Sequence, residues 1–336
     1  MRWASARLRP VKRGSGAKLR HAPIIVWPHD SPYLRIMTIP ALLTEITPAT
    51  HDLGDFRVYR SLPARERTMV GPFVFFDEAG PAMLDPGKGI DVRPHPHIGL
   101  STVTYMLKGA FVHRDSLGSE QMIEPGAVNL MTAGRGIVHS ERSPEEERVK
   151  RSTVSAIQTW LALPDGREEI DPAFEHVPAA KLPEVTGDGA RVRIIMGSLW
   201  GERSPVTTYA QTIYADVGLD PGGAIVIEDS AEERSLYVTR GDAALDGVPL
   251  EQRVLYVLRP GAVATLRSGQ GAHVMLCGGE AFLSRRHVWW NFVSSSRDRL
   301  MQARDDWENM RFPLISGDND EFIPLPQGRP KTVSYP

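Results

Sequence analysis

The sequence predicts an all-β protein built as two tandem β-barrels with a helix near the end of the chain. Three observations carry this. The apolar runs are short, rich in β-branched and aromatic residues, and bounded by turn residues. Glycine and proline are plentiful, at 30 and 27 of 336 residues, which suits short strands joined by tight turns. The two halves of the chain also resemble each other, in the same order.

The first 37 residues stand apart. Between Met1 and His29 there is no Asp or Glu, whereas Arg2, Arg7, Arg9, Lys12, Arg13, Lys18 and Arg20 are basic. Such composition can mark an organelle transit peptide. It lacks a clean apolar face, however, and Pro10, Pro23 and Pro28 interrupt it. The other reading is a disordered basic leader, with Met37 as the true start. Residues 1–37 are therefore set aside from the fold.

Residues 38–165 read as the first barrel. Residues 73–76 form a short apolar run. Residues 102–107 (TVTYML) end at Lys108-Gly109 and are followed by Phe111-Val112-His113, which is strand, turn, strand. Residues 128–131 follow Pro125-Gly126, and residues 157–163 end at Pro164-Asp165-Gly166. Residues 180–285 read as the second barrel, with strands at 192–196, 212–217, 224–227, 236–239, 254–258, 262–266 and 274–277. Asp246-Gly247 reads as a hairpin turn. Residues 286–336 form a terminal segment that packs on the barrels. Ser294, Ser295 and Ser296 offer a cap for a helix reaching about Met310, with Leu300, Ala303 and Trp307 at helical spacing, and an extended tail follows.

Three motifs recur between the halves. Tyr105-Met106-Leu107-Lys108-Gly109 is matched by Tyr237-Val238-Thr239-Arg240-Gly241. Pro125-Gly126-Ala127-Val128 is matched by Pro260-Gly261-Ala262-Val263, and Gly134-Arg135-Gly136 by Gly269-Gln270-Gly271. Their order and nearly constant offset indicate a duplicated β domain; chance likeness of turn residues is the alternative.

The chemistry lies in two alternating pairs. His95 and His97 flank Pro96, and residues two apart on an extended chain point to one side. Pro96 donates no ladder hydrogen bond, which places this strand at an edge or rim. His139 and Glu141 repeat the spacing after a glycine-rich turn. On strands made neighbours by barrel closure, the pairs give three imidazoles and one carboxylate. That donor set suits Fe(II), Mn(II), Ni(II), Cu(II) or Zn(II), with positions left for water, oxygen or a chelating substrate. In the second half, Ile227, Asp229, Val274 and Leu276 align with the four ligands, and His273 is one residue out of phase. The second barrel is expected to hold no metal.

Bulk properties narrow the remaining classes. A net charge of −2 provides no field toward nucleic acid or anionic membrane, and no apolar run is long enough to span a bilayer. A single cysteine, Cys277, excludes a disulfide framework and a thiolate metal cluster. A cytoplasmic monomer is expected.

His95 to Ser119 (HPHIGLSTVTYMLKGAFVHRDSLGS) and Asn129 to Glu141 (NLMTAGRGIVHSE) resemble pirins, members of the cupin superfamily. Arg286 to Ser296 (RHVWWNFVSSS) and Glu321 to Pro326 (EFIPLP) are similar to the C-terminal end of bacterial pirin-like proteins. The resemblance runs from about residue 66 to 326. It implies a bicupin, two tandem double-stranded β-helices, with one divalent metal in the first barrel on His95, His97, His139 and Glu141. Iron is the metal usually described for the family, with Ni, Mn, Cu or Zn as other occupants. The resemblance implies an oxidoreductase of the quercetin (flavonol) 2,3-dioxygenase type, with Glu141 as possible general base. The alternative is a non-enzymatic, iron-dependent regulator that binds a transcription factor or metabolic enzyme. One position departs from the family pattern: a glutamate four residues after the second histidine is here Ser101.

Three further residues are weighed for contact with substrate or ligands. His113 is read as a partly exposed strand residue, with a role beside the metal as the alternative. Arg135 either meets a substrate anion or decorates its turn. Gln158 either orients a ligand or makes a core hydrogen bond.

Overall fold

The computed structural model describes residues 41–52, 56–327 and 333–335. The basic leader lies outside them. Each half of the described chain is built from a seven-stranded and a four-stranded antiparallel sheet. In the first half the large sheet runs Ala173–Val177, Val128–Thr132, Leu100–Lys108, Ser152–Ala162, Phe73–Leu84, Arg57–Leu62, Ala49–Asp52. The small sheet runs Asp91–His97, Ile137–Arg142, Phe111–Asp115, Glu120–Ile123.

The second half repeats the plan. Its large sheet runs Leu42–Ile46, Leu255–Leu258, Glu233–Gly241, Ala272–Gly279, Thr212–Leu219, Ala190–Met196, Glu184–Gly187. Its small sheet runs Ala224–Ile227, Ala264–Arg267, Ala243–Leu245, Val248–Leu250. Asp246 and Gly247 turn the last hairpin of that sheet with φ of +49° and +83°, the left-handed pair that a two-residue hairpin needs.

The two large sheets pack back to back. Val103, Tyr105 and Ile157 of the first meet Tyr214, Tyr237, Leu255 and Met275 of the second in one buried cluster. Their strands are thus covered on both faces: Thr102, Thr104 and Met106 are buried as fully as Val103 and Tyr105. Inside the second barrel, Val192, Ile194, Leu236, Val274 and Leu276 fill the space where the first barrel places its polar groups. Ile227 lies in this apolar filling too.

One strand crosses between the halves. Leu42–Ile46, grouped with the first barrel from sequence, pairs with Leu255–Leu258, with Ile46 opposite Leu255. Ala173–Val177, beyond the expected boundary at 165, takes the corresponding edge of the first sheet against Val128–Thr132. A short strand satisfies its backbone groups on any open edge, and its sequence does not name that edge.

The terminal helix spans Arg297–Glu308, and the Ser296 hydroxyl accepts from the Arg299 amide. Leu300, Ala303 and Trp307 pack on Ile98, Val138 and Phe292. Gly99, at φ +67°, lets the hairpin of Arg286–Trp289 and Phe292–Ser294 lie against the first barrel, because a Cβ there would collide with the Val293 carbonyl. Among the described residues no helix is long and apolar enough to cross a membrane.

Candidate metal centre

The strands Asp91–His97 and Ile137–Arg142 are direct neighbours, with His95 opposite His139. Asp91–His97 lies at the edge of its sheet, as the proline between the histidines requires. Alternation turns His95 and His97 to one side, and the cross-strand register brings His139 between them. Ring centroids lie 5.0 Å apart for His95 and His97, 4.4 Å for His95 and His139, and 5.0 Å for His97 and His139. One nitrogen from each ring lies within 4.8 Å of the others. All three side chains are buried.

Backbone carbonyls fix two of the rings. His95 Nδ1 donates to the Arg93 carbonyl at 2.8 Å, and His97 Nδ1 donates to the Asn291 carbonyl at 3.0 Å. Each therefore keeps its Nε2 lone pair for the centre. His139 is different: both ring nitrogens are buried and lack a hydrogen-bond partner among the described residues. An unmade hydrogen bond of this kind costs roughly 1–3 kcal/mol. A metal ion accepting the lone pair of His139 would remove that cost at one of the two nitrogens, so these residues fit a bound transition ion.

Glu141 sits beyond a register shift after His139, opposite Val92. Its carboxylate lines the same cavity but lies outside the cluster of three imidazoles. Thr104 Oγ1 donates to Glu141 Oε1 at 2.9 Å. Burial raises the Glu141 pKa, against the pull of His113 and Thr104. Burial acts oppositely on the imidazoles. His95 is pushed down to about 4, and His97 and His139 are also well below the usual histidine range, with neighbouring histidines adding to the effect.

This has a measurable consequence for the metal-free protein. The unfolded chain binds more protons than the folded one between the ordinary histidine pKa of 6.5 and about 4, so stability falls as pH drops through that window. Each buried histidine contributes up to about 1.4 kcal/mol per pH unit there. Glu141, shifted upward, opposes this but is one group against three. Thermal melts of chelated protein are expected to show a lower midpoint at pH 5 than at pH 7. A midpoint that is flat or rises on acidification would refute the neutral, buried triad.

The cavity above the imidazoles has a volume of about 350 Å³. Phe75 and Trp160 stack at 3.9 Å and form a flat wall, with Phe56, Val58 and Phe111 adding apolar surface. At its polar side, Arg60 forms a two-point hydrogen-bonded pair with Asp77, at 2.9 and 2.8 Å. Gln158 also lines this cavity.

The other sequence candidates fall elsewhere. His113 is buried, not partly exposed: its ring stacks on Phe174 at 4.4 Å, lies 5.3 Å from His139, and places Nε2 3.0 Å from Asp115 Oδ2. Its strand pairs with the ligand strand, so the closed sheet covers it. Arg135 pairs with Asp171 and is not among the residues lining the cavity. Ser101 hydrogen-bonds Thr132 at 3.0 Å on the face of its strand opposite Thr104, so a carboxylate at 101 would point away from the metal cavity. Sequence reasoning missed Thr104, the Arg60–Asp77 pair and the Asn291 carbonyl.

The C-terminal tail braces the ligand strand from outside. Asp318 accepts from Ser140 at 2.7 Å and from Arg142 at 2.8 and 2.7 Å, and the Ile323 amide donates to the Pro94 carbonyl at 2.9 Å.

Two family models match the chain: Pirin over residues 55–161, and the Pirin C-terminal cupin domain over residues 214–313. A pirin-like protein of Caulobacter vibrioides is 44% identical over 279 residues, which is 82% of this chain and 96% of that protein. The chain belongs to the pirin family. This pirin-family chain is a bicupin, consistent with its two repeated pairs of sheets. A pirin-like protein of Solanum lycopersicum is 32% identical, over 75% of this chain and 85% of its own. Among solved structures, a quercetin 2,3-dioxygenase from Acinetobacter baumannii superposes with a TM-score of 0.79 at 35% identity. That match covers 86% of the present chain and 98% of the other.

Proposed function

We propose that this pirin-family protein is a mononuclear-metal flavonol 2,3-dioxygenase, with Fe(II) as its metal held by His95, His97 and His139 and with Glu141, the fourth residue of the sequence motif, beside them as the base. The observation that carries this reading is a triad of buried, neutral imidazoles at one end of a flat-walled cavity, with a buried carboxylate beside it. The likeness to the Acinetobacter baumannii quercetin dioxygenase supports it.

When bound, the ion supplies a Lewis acid for the adjacent hydroxyl and carbonyl oxygens of a flavonol and a meeting point with oxygen. The chain's own residues do the rest. Phe75 and Trp160 give a planar aromatic substrate a planar wall. Thr104 holds Oε1 of Glu141, which leaves Oε2 to take the flavonol hydroxyl proton. In the metal-free protein burial raises the Glu141 pKa. Phe56, Val58 and Phe111 keep bulk water from the carboxylate while the activated ring is opened and carbon monoxide leaves.

Purified protein loaded in turn with Fe(II), Ni(II) or Mn(II), given quercetin and oxygen, is expected to bleach the flavonol absorbance and release carbon monoxide. No turnover with any metal would sink the enzyme reading and leave the protein-binding regulator.

A further inference from the structure

The repeated Tyr-x-x-Lys/Arg-Gly motif takes no part in the metal centre. Its two copies, at Tyr105 and Tyr237, lie on the back-to-back faces of the large sheets and meet across the seam between the barrels. Each tyrosine donates to an acid of the opposite barrel: Tyr105 to Asp216 at 2.6 Å, and Tyr237 to Glu78 at 2.7 Å. Each acid also has a basic neighbour. His273 Nε2 lies 2.8 Å from Asp216, and Arg253 Nε lies 3.2 Å from Glu78. The acids of the seam are thus answered from within.

The cations of the motif are not. Lys108 and Arg240 are exposed, and among the described residues neither has an ion-pair partner. Both border one seam cavity of about 340 Å³. Arg193 reaches the same cavity over the Pro125-Gly126 turn, where a Cβ at position 126 would collide with its guanidinium. At the repeat-related Gly261, the nearest atom to such a Cβ is Asp229 Oδ2 at 4.0 Å, so the room at Gly126 is specific to this seam. Arg193 gives one guanidinium nitrogen to Glu184 at 2.6 Å, and its Nε is buried without a hydrogen-bond partner among the described residues. Pro81, Leu107 and Pro125 form an apolar wall of the cavity.

We infer that the inter-barrel cavity binds a small organic carboxylate, its charge held by Lys108 and Arg240 and its apolar body against Pro81, Leu107 and Pro125. Two unanswered cations select an anion, and the arginine fork matches a carboxylate. The apolar wall favours an anion with a hydrophobic body over inorganic phosphate. The site is separate from the metal cavity and does not rest on the dioxygenase reading. The Leu100–Lys108 strand sends Thr104 to Glu141 on one face and Tyr105 to the seam on the other.

Calorimetric titration of metal-free, full-length protein with benzoate at low ionic strength tests this. One saturable site is expected, weakened by added salt. The double variant Lys108→Gln/Arg240→Gln should bind at least about tenfold more weakly, from lost charge-assisted hydrogen bonds. Glu141→Gln should bind benzoate like the parent. Absence of saturation, unchanged affinity in the double variant, loss of binding in Glu141→Gln, or phosphate binding as tightly as benzoate would each overturn the assignment. Both substituted side chains are exposed, so equal unfolding midpoints should accompany the loss of binding.

Discussion

Replacing His139 by alanine is expected to leave the protein without stoichiometric metal. Of the three imidazoles, this is the one the fold satisfies least. His95 and His97 each spend a ring nitrogen on a backbone carbonyl, whereas both nitrogens of His139 are buried and, among the described residues, unpartnered. Burial also holds the ring neutral, the form that gives a lone pair to an ion. Changes to the groups that merely orient metal ligands weaken binding by about 10–100-fold. Loss of a ligand is expected to exceed the upper end of that range. Elemental analysis of the purified variant should show well under one ion per chain, against about one for the parent. Thermal melts give a second readout. An ion at 100 times its dissociation constant stabilises the folded state by about 2.7 kcal/mol, and that metal-dependent rise should vanish in His139→Ala. Arg135→Ala, altered away from the cavity, should retain both metal and the rise. Full metal content in His139→Ala would place the ion elsewhere.

Glu141→Gln is expected to cut flavonol turnover by about 10²–10⁴-fold while the three imidazoles retain metal. Glutamine keeps the shape of the side chain and an oxygen that still accepts from Thr104, so the fold should be unaffected. What it loses is the capacity to accept a proton. The loss should appear in kcat rather than KM, because the flat wall of Phe75 and Trp160 is untouched. Thr104→Val should have a smaller effect, since it frees Glu141 Oε1 without removing the base. Parent-level turnover in Glu141→Gln would remove this residue as the proton acceptor, and parent-level metal content would still leave the imidazole centre standing.

Much of the site was legible because its information is local. The alternation in His95-Pro96-His97 sends both rings to one side wherever the strand is placed, and Pro96 foretells an edge. The helix at 297–308 was marked by its serine cap and by the spacing of Leu300, Ala303 and Trp307. Other parts had no local signature. His97 is oriented by a backbone carbonyl 194 residues away, at Asn291, and a carbonyl leaves no trace in residue type. Thr104 is one of many strand threonines until the closed sheet sets it against Glu141. Burial of His113 follows from the pairing of its strand beside the ligand strand, which its own five residues do not state. The repeated tyrosine motif was visible in the sequence, but its exchange of hydrogen bonds across the seam was not.

The sequence by itself determined the strand-rich class, the duplication, the terminal helix and the residue types that can hold a metal, because these depend on spacing along one short stretch of chain. Only the tertiary structure decided that Leu42–Ile46 completes the second sheet, that Ser101 faces away from the cavity, and that two barrels join through Tyr105 and Tyr237. Those outcomes depend on which distant strands share an edge and in what register. That choice is made by burying both large sheets against each other, a property of the whole packed chain rather than of any segment.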